Sequence, residues 1–183
     1  GISNIRQKNL GSAGGWHAAI NYFLNNNYDA IWMMDDDGYP DADSLRLLEK
    51  KLTQSYACVS SVVINKDNKK KFVFPFPKIN KKGLPIIFSI NRKIPFLIDL
   101  TKHHINNEYS FVHLFNGALI AYNAIKNIGN VNKNFFMYGD EVDYFFRLKK
   151  YGKVISVLNS FHYHPDVSKR PLSKIKLYYY IKN

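Results

Sequence analysis

One cysteine, Cys58, stands in a chain of 183 residues. That excludes an intramolecular disulfide and fits a reducing compartment, with a small buried hydrophobe as its simplest role. The start of the chain shows no basic, apolar and small-residue succession of the kind that marks a secretory signal. No apolar run approaches the roughly 20 residues that span a bilayer; the closest, Leu84 to Ile90, is far too short. Acids are also scarce. Only 14 Asp and Glu face 26 Lys and Arg, a net charge of +12, which suits either an anionic partner or simply a solvated lysine surface. What is abundant is core material: 46% hydrophobic and 15% aromatic residues belong to a folded globular chain. The expectation is one domain over 1–183, soluble or peripheral to a membrane.

Apolar spacing predicts a helix from Ala13 to Asn25, opened by Gly11, Ser12, Gly14 and Gly15. Tyr28 to Met34 reads as a short buried strand, 43–52 as a helix and 56–64 as a second strand. Over 65–108 the pattern dissolves into lysines, prolines and short apolar runs, which reads as an insertion or irregular excursion with one or two short strands. Strand-like alternation returns over 111–122, followed by a short helix over 123–128 that ends at Gly129. A helix over 140–151 is closed by Gly152, and a last strand over 154–158 leads to Phe161-His162-Tyr163-His164. Alternating helices and strands indicate an α/β fold with a mainly parallel sheet flanked by helices.

Asp35-Asp36-Asp37 is the most informative feature. A buried strand delivers three carboxylates to its C-terminal end, where ligands sit in open α/β sheets. Adjacent like charges repel, so the cluster calls for a cation or for donors. Hard divalent ions such as Mn²⁺ or Mg²⁺ take carboxylate oxygens and keep positions open for phosphates. An acidic turn that starts a helix is the plain alternative.

Read with its neighbours, the cluster becomes more specific. The segment Asn9-Leu10-Gly11-Ser12-Ala13-Gly14-Gly15, then a helix, then Ile31 to Asp37, resembles family 2 glycosyltransferases of the GT-A fold. Within them it is most similar to the rhamnosyltransferase and galactofuranosyltransferase branch. Phe115-Asn116-Gly117-Ala118 and Phe135 to Arg147 resemble that branch's acceptor-side acidic region. His162-Tyr163-His164-Pro165 resembles its metal-binding histidine segment, and Leu177 to Asn183 its Tyr-Tyr-x-x-Arg-Asn segment, with Lys182 where arginine is usual.

The resemblance implies a set of roles. Asp37 binds Mn²⁺ or Mg²⁺ together with His164, or with His162 if the register is two residues off. Asp35 and Asp36 hold the ribose and the donor sugar, and Asn9, Gly11, Gly14 and Gly15 line the donor pocket. Glu141 is the general base, helped by Asp140. The activity implied is inverting transfer of a sugar from a UDP- or dTDP-linked donor to a glycan or lipid-linked acceptor, in bacterial surface polysaccharide synthesis. It would take place in the cytoplasm or at the inner face of the cell membrane. Nucleic acid is not among the expected partners. Family members begin with a strand-helix-strand unit that this sequence does not show ahead of Lys8-Asn9-Leu10, so the expected fold is GT-A-like and truncated at its N-terminus.

Several plain readings stand beside these. Asp140 and Glu141 also suit a helix N-terminus, and Asp143 with Arg147 suits a surface ion pair four residues apart. His17 lies close enough to the glycines to touch a donor, His113 suits the core, and His103 and His104 carry no pattern. Trp16 and Trp32 are most simply packing residues. Lys169, Arg170, Lys174, Lys176 and Tyr178 to Tyr180 suit either an anionic membrane surface or a solvated helix face. The competing function is a degenerate, non-catalytic nucleotide- or carbohydrate-binding module.

Overall fold

The computed structural model describes residues 2–102, 106–166 and 173–183. His103, His104, Lys169 and Arg170 lie outside the described residues. Helix α1 (Gly11–Leu24) leads to strand β1 (Ala30–Met33), the short strand β2 (Tyr39–Pro40), helix α2 (Ser44–Lys51) and the long strand β3 (Tyr56–Asn65). Strands β4 (Lys71–Pro77) and β5 (Lys93–Phe96), helix α3 (Leu97–Thr101) and strand β6 (Glu108–Tyr109) follow. The second half holds β7 (Ala118–Ala121), α4 (Tyr122–Ile128), α5 (Asp140–Tyr151), β8 (Lys153–His164) and α6 (Lys174–Lys182).

The α/β character is as expected, but strand direction is not. Among the described residues only β3 and β8 pair in parallel, Ser60 facing Ser156 and Asn65 facing His164. Strands β1, β3 and β8 do run the same way, as alternation with helices predicts. Strand β7, however, is inserted between β1 and β3 and runs antiparallel to both. Strands β4, β2 and β6 also join antiparallel. The sheet is therefore antiparallel-dominated rather than mainly parallel.

Strand β3 is buried over nine of its ten residues because it has neighbours on both edges and cover on both faces. Side-chain alternation divides the cover. Cys58, Ile120 and Val154 pack with α1, α4 and α5 through Ile20, Ile125 and Leu148. Val59, Leu119, Ile155 and Val157 pack beneath Leu48 of α2. A third apolar group, including Phe72, Phe76 and Leu100, seats β4 and α3 against the far end of β3.

The run 111–122 is strand only from Ala118 onward. Its first part descends as irregular chain, anchored where the Gly117 amide donates to the Met33 carbonyl at 2.9 Å and the Gly117 carbonyl accepts from Ser61 at 3.1 Å. Helix α5 has the bounds expected of it, with three acids in its first turn and two lysines in its last, the distribution that the helix dipole favours.

Candidate active site

The three acids follow the end of β1. The chain then turns back so that Tyr39 and Pro40 pair with Tyr163 and His162 at the end of β8. Gly38 is what lets this turn close, since a Cβ there would lie 2.2 Å from the His162 Nε2 atom. The turn brings Asp37 Oδ1 within 3.0 Å of His164 Nε2. One ligand atom each from Asp35, Asp37 and His164 lie within 4.8 Å of one another. Ligands around a single divalent cation lie about 4–5 Å apart or less, given bonds of about 2.0–2.6 Å.

His164 is 7% exposed, and its Nδ1 lies 2.7 Å from the Pro165 carbonyl. A carbonyl can only accept, so Nδ1 donates. One imidazole nitrogen, held in direction by the carbonyl on its other side, and two carboxylate oxygens make a donor set that fits a divalent metal. Asp35 has its pKa raised, first by burial and then by the nearby Asp37 and Asp36 charges, while a hydrogen bond from the Asn116 side chain opposes the shift. Asp36 is exposed and outside the cluster.

His162 lies outside the cluster too. It is fully buried, neither ring nitrogen meets a partner among the described residues, and burial lowers its pKa to about 4. It is a neutral ring packed behind Gly38 and Gly117.

A cleft of about 760 Å³ opens beside the acids. Its lining brings together Asp35 and Asn116, Asp140 and Glu141 at the start of α5, and Phe74, Pro85 and Ile87. Asp140 is only 2% exposed. Burial, a hydrogen bond with Glu141 and the Glu141 charge raise its pKa to about 7. Burial beside a second carboxyl thus holds the Asp140 carboxyl toward its protonated form.

The loop before α5 is tightly held. Phe136, Tyr138 and Gly139 all have positive φ, at 65°, 61° and 85°. The Asn183 side-chain amide donates to the carbonyls of Phe135, Met137 and Tyr138 at 2.7, 2.9 and 3.1 Å. Tyr179 stacks on Phe136 with ring centroids 4.6 Å apart. The Phe136 carbonyl accepts from the Ala13 amide at 3.1 Å and would lie 1.9 Å from any Cβ at Gly11.

Asn9, Gly11, Gly14 and Gly15 do not line the described cleft, where that segment contributes Ser12 and Trp16. The Asn9 side chain accepts from the Gly11 amide at 3.0 Å, and Gly14 passes Leu10. His17 turns away to the Val131 carbonyl at 2.7 Å. Arg147 pairs with Asp143 at 2.7 Å and also donates to the Ile128 and Asn130 carbonyls. His113 lies among Phe74, Phe76 and Phe111, and burial lowers its pKa to about 4. Sequence reasoning assigned no role to Asn116 or Asn183, although both fall in segments that carry the resemblance.

A search of solved structures places this architecture. The crystal structure of GalNAc-T7 with UDP, GalNAc and Mn²⁺ superposes with a TM-score of 0.65 at 10% identity, covering 97% of this chain and 35% of that one. The chain has the fold of the GT-A glycosyltransferases. Curated sequences carry the relationship further. Galactofuranosyltransferase GlfT1 of Mycolicibacterium smegmatis is 30% identical over 165 residues, covering 87% of the GT-A chain and 51% of the relative. GlfT1 of Mycobacterium tuberculosis is 30% identical over 164 residues, covering 87% and 50%. The GT-A chain therefore spans about half the length of the curated relatives it matches. No protein-family model matches it.

Proposed function

We propose that this domain transfers a sugar, with inversion, from a UDP- or dTDP-linked donor to a glycan or lipid-linked acceptor. The setting is bacterial surface polysaccharide synthesis, in the cytoplasm at the inner face of the cell membrane. One observation carries the reading: Asp35 belongs both to a three-ligand cluster and to the cleft that holds Asp140 and Glu141. In this reading Asp37, His164 and Asp35 hold Mn²⁺ or Mg²⁺, which when bound neutralises the leaving diphosphate. Asn116 orients the Asp35 carboxylate through the hydrogen bond it donates. Asp36 and the Asn9 to Gly15 segment serve the donor from the solvent side.

Glu141 takes the proton of the acceptor hydroxyl. Asp140, held toward its protonated form by burial, fixes the direction of Glu141 through their hydrogen bond. Rings of Trp16 and Phe115, with centroids 4.8 Å apart, give the cleft an apolar side against which a sugar face can rest.

Calorimetric titration with UDP and dTDP, with and without Mn²⁺, tests the donor side. Metal-dependent binding that disappears in Asp37→Ala is expected, with Glu141→Gln still binding but not transferring. Absence of nucleotide binding in every condition would sink the proposal.

A further inference from the structure

Between β4 and β5 the chain forms a turn whose tip leaves three large apolar side chains in water. Ile87, Phe88 and Ile90 are 63%, 96% and 102% exposed. The turn is built rather than frayed. The Ile86 amide donates to the Lys78 carbonyl at 2.8 Å, the Lys78 amide to the Arg92 carbonyl at 2.7 Å, and Arg92 Nη1 to the Ile87 carbonyl at 2.6 Å. Lys149 of α5 donates to the Gly83 carbonyl and ties the turn to the body. These bonds hold the base of the turn while its largest apolar side chains stay in water.

Charge says what such a tip fits. The stretch from Lys78 to Lys93 carries Lys78, Lys81, Lys82, Arg92 and Lys93, every one of them exposed, and no acid. Exposed apolar side chains flanked along the chain by exposed cations match the boundary of an anionic bilayer, where rings and aliphatic chains enter the acyl edge and lysines meet the headgroups. Helix α6 repeats the composition, with Ile175, Leu177, Tyr178 and Ile181 exposed beside Lys174, Lys176 and Lys182. Pro85, Ile87 and Lys93 of the turn and Lys176 of α6 border one cleft, so turn and helix flank the same mouth. No helix among the described residues is long and apolar enough to cross a membrane.

We infer that the Ile87–Ile90 tip inserts into the interfacial region of an anionic phospholipid bilayer, with its flanking cations against the headgroups and the cleft mouth facing the lipid. This stands on exposure and charge alone and does not require the transfer reaction.

Sedimentation with vesicles tests it, using phosphatidylglycerol mixed with phosphatidylcholine against phosphatidylcholine alone. The chain is expected to bind the anionic vesicles and to lose affinity as salt rises. Phe88→Ser with Ile90→Ser is expected to weaken binding at least tenfold, and Lys81→Gln with Lys82→Gln roughly fivefold per cation removed. All four positions are exposed, so melting temperature and Mn²⁺ binding should be unchanged. A Phe88→Trp variant adds a direct readout: the emission of the introduced indole should shift blue on anionic vesicles and be quenched by brominated lipid. Failure to bind the anionic vesicles would overturn the inference. So would binding that ignores both double variants while the indole emission of Phe88→Trp stays unshifted, the result expected if the tip instead serves an acidic protein. Loss of nucleotide binding would leave this result untouched.

Discussion

Removing the Asn183 side-chain amide should loosen the loop that presents Asp140 and Glu141. Phe136 and Tyr138 hold left-handed backbone at φ 65° and 61°, a conformation costing on the order of 1 kcal/mol or more per non-glycine residue. Such a loop keeps its shape only where its surroundings impose it. Asn183 does so with two N–H groups shared among three carbonyls at 2.7–3.1 Å. A net hydrogen bond contributes about 0.5–1.5 kcal/mol, and Asn183 is exposed, so the lower end applies: about 1 kcal/mol for the pair. Asn183→Ala should therefore speed amide exchange over residues 136–141 by roughly fivefold, with strands β3 and β8 unaffected. Asn183→Asp, which sets a carboxylate against the same carbonyls, should do at least as much. Native-state hydrogen exchange read by mass spectrometry on peptides covering 135–143 is the assay. Exchange in the loop unchanged within a factor of two would refute the reasoning and assign the loop's order to the Phe136–Tyr179 stack instead.

Other perturbations separate the remaining roles. Gly11→Ala puts a Cβ 1.9 Å from the Phe136 carbonyl at φ 70°, and chemical denaturation should show a loss of about 2 kcal/mol or more. His164→Ala should abolish Mn²⁺ binding in a calorimetric titration, whereas His162→Gln, outside the cluster, should bind the ion yet melt at a lower temperature. Asp140 has its pKa raised from 3.8 to about 7, so between those values the folded chain holds a proton that the unfolded chain releases. Its contribution to stability is present at low pH and is lost as pH rises toward and through 7. Asp140→Asn should accordingly raise the melting temperature at pH 8 and change it little at pH 4.

The parts of the molecule legible in sequence are those fixed by local chemistry. Asp140 to Tyr151 could be bounded because acids, apolar spacing and Gly152 all lie within the helix or next to it. Asp35 to Asp37 stood out because an apolar strand runs straight into them. Strand direction was not legible: nothing in Ala118 to Ala121 records that it will lie antiparallel between Ala30–Met33 and Cys58–Ser60. The glycines that open α1 read as ligand-lining, and the structure adds a packing cause, the Phe136 carbonyl at Gly11 and Leu10 at Gly14. Asn183 clamps carbonyls some 45 positions earlier in the chain, which no local pattern reveals, and Asn116 needed the fold to bring it to Asp35.

The pairing of β2 with the end of β8 bears on when this protein becomes competent. Tyr163 Oη donates to Asp41 at 3.1 Å across 122 positions of sequence, and the Asp37–His164 contact lies in the same turn. Contacts so distant in sequence close late, after local helices and hairpins have formed. On a ribosome the acids are made well before β8, and until that strand follows they have no His164 beside them. A nascent chain therefore carries a bare, repelling cluster of carboxylates, and gathers Asp35, Asp37 and His164 into one group only when β8 docks.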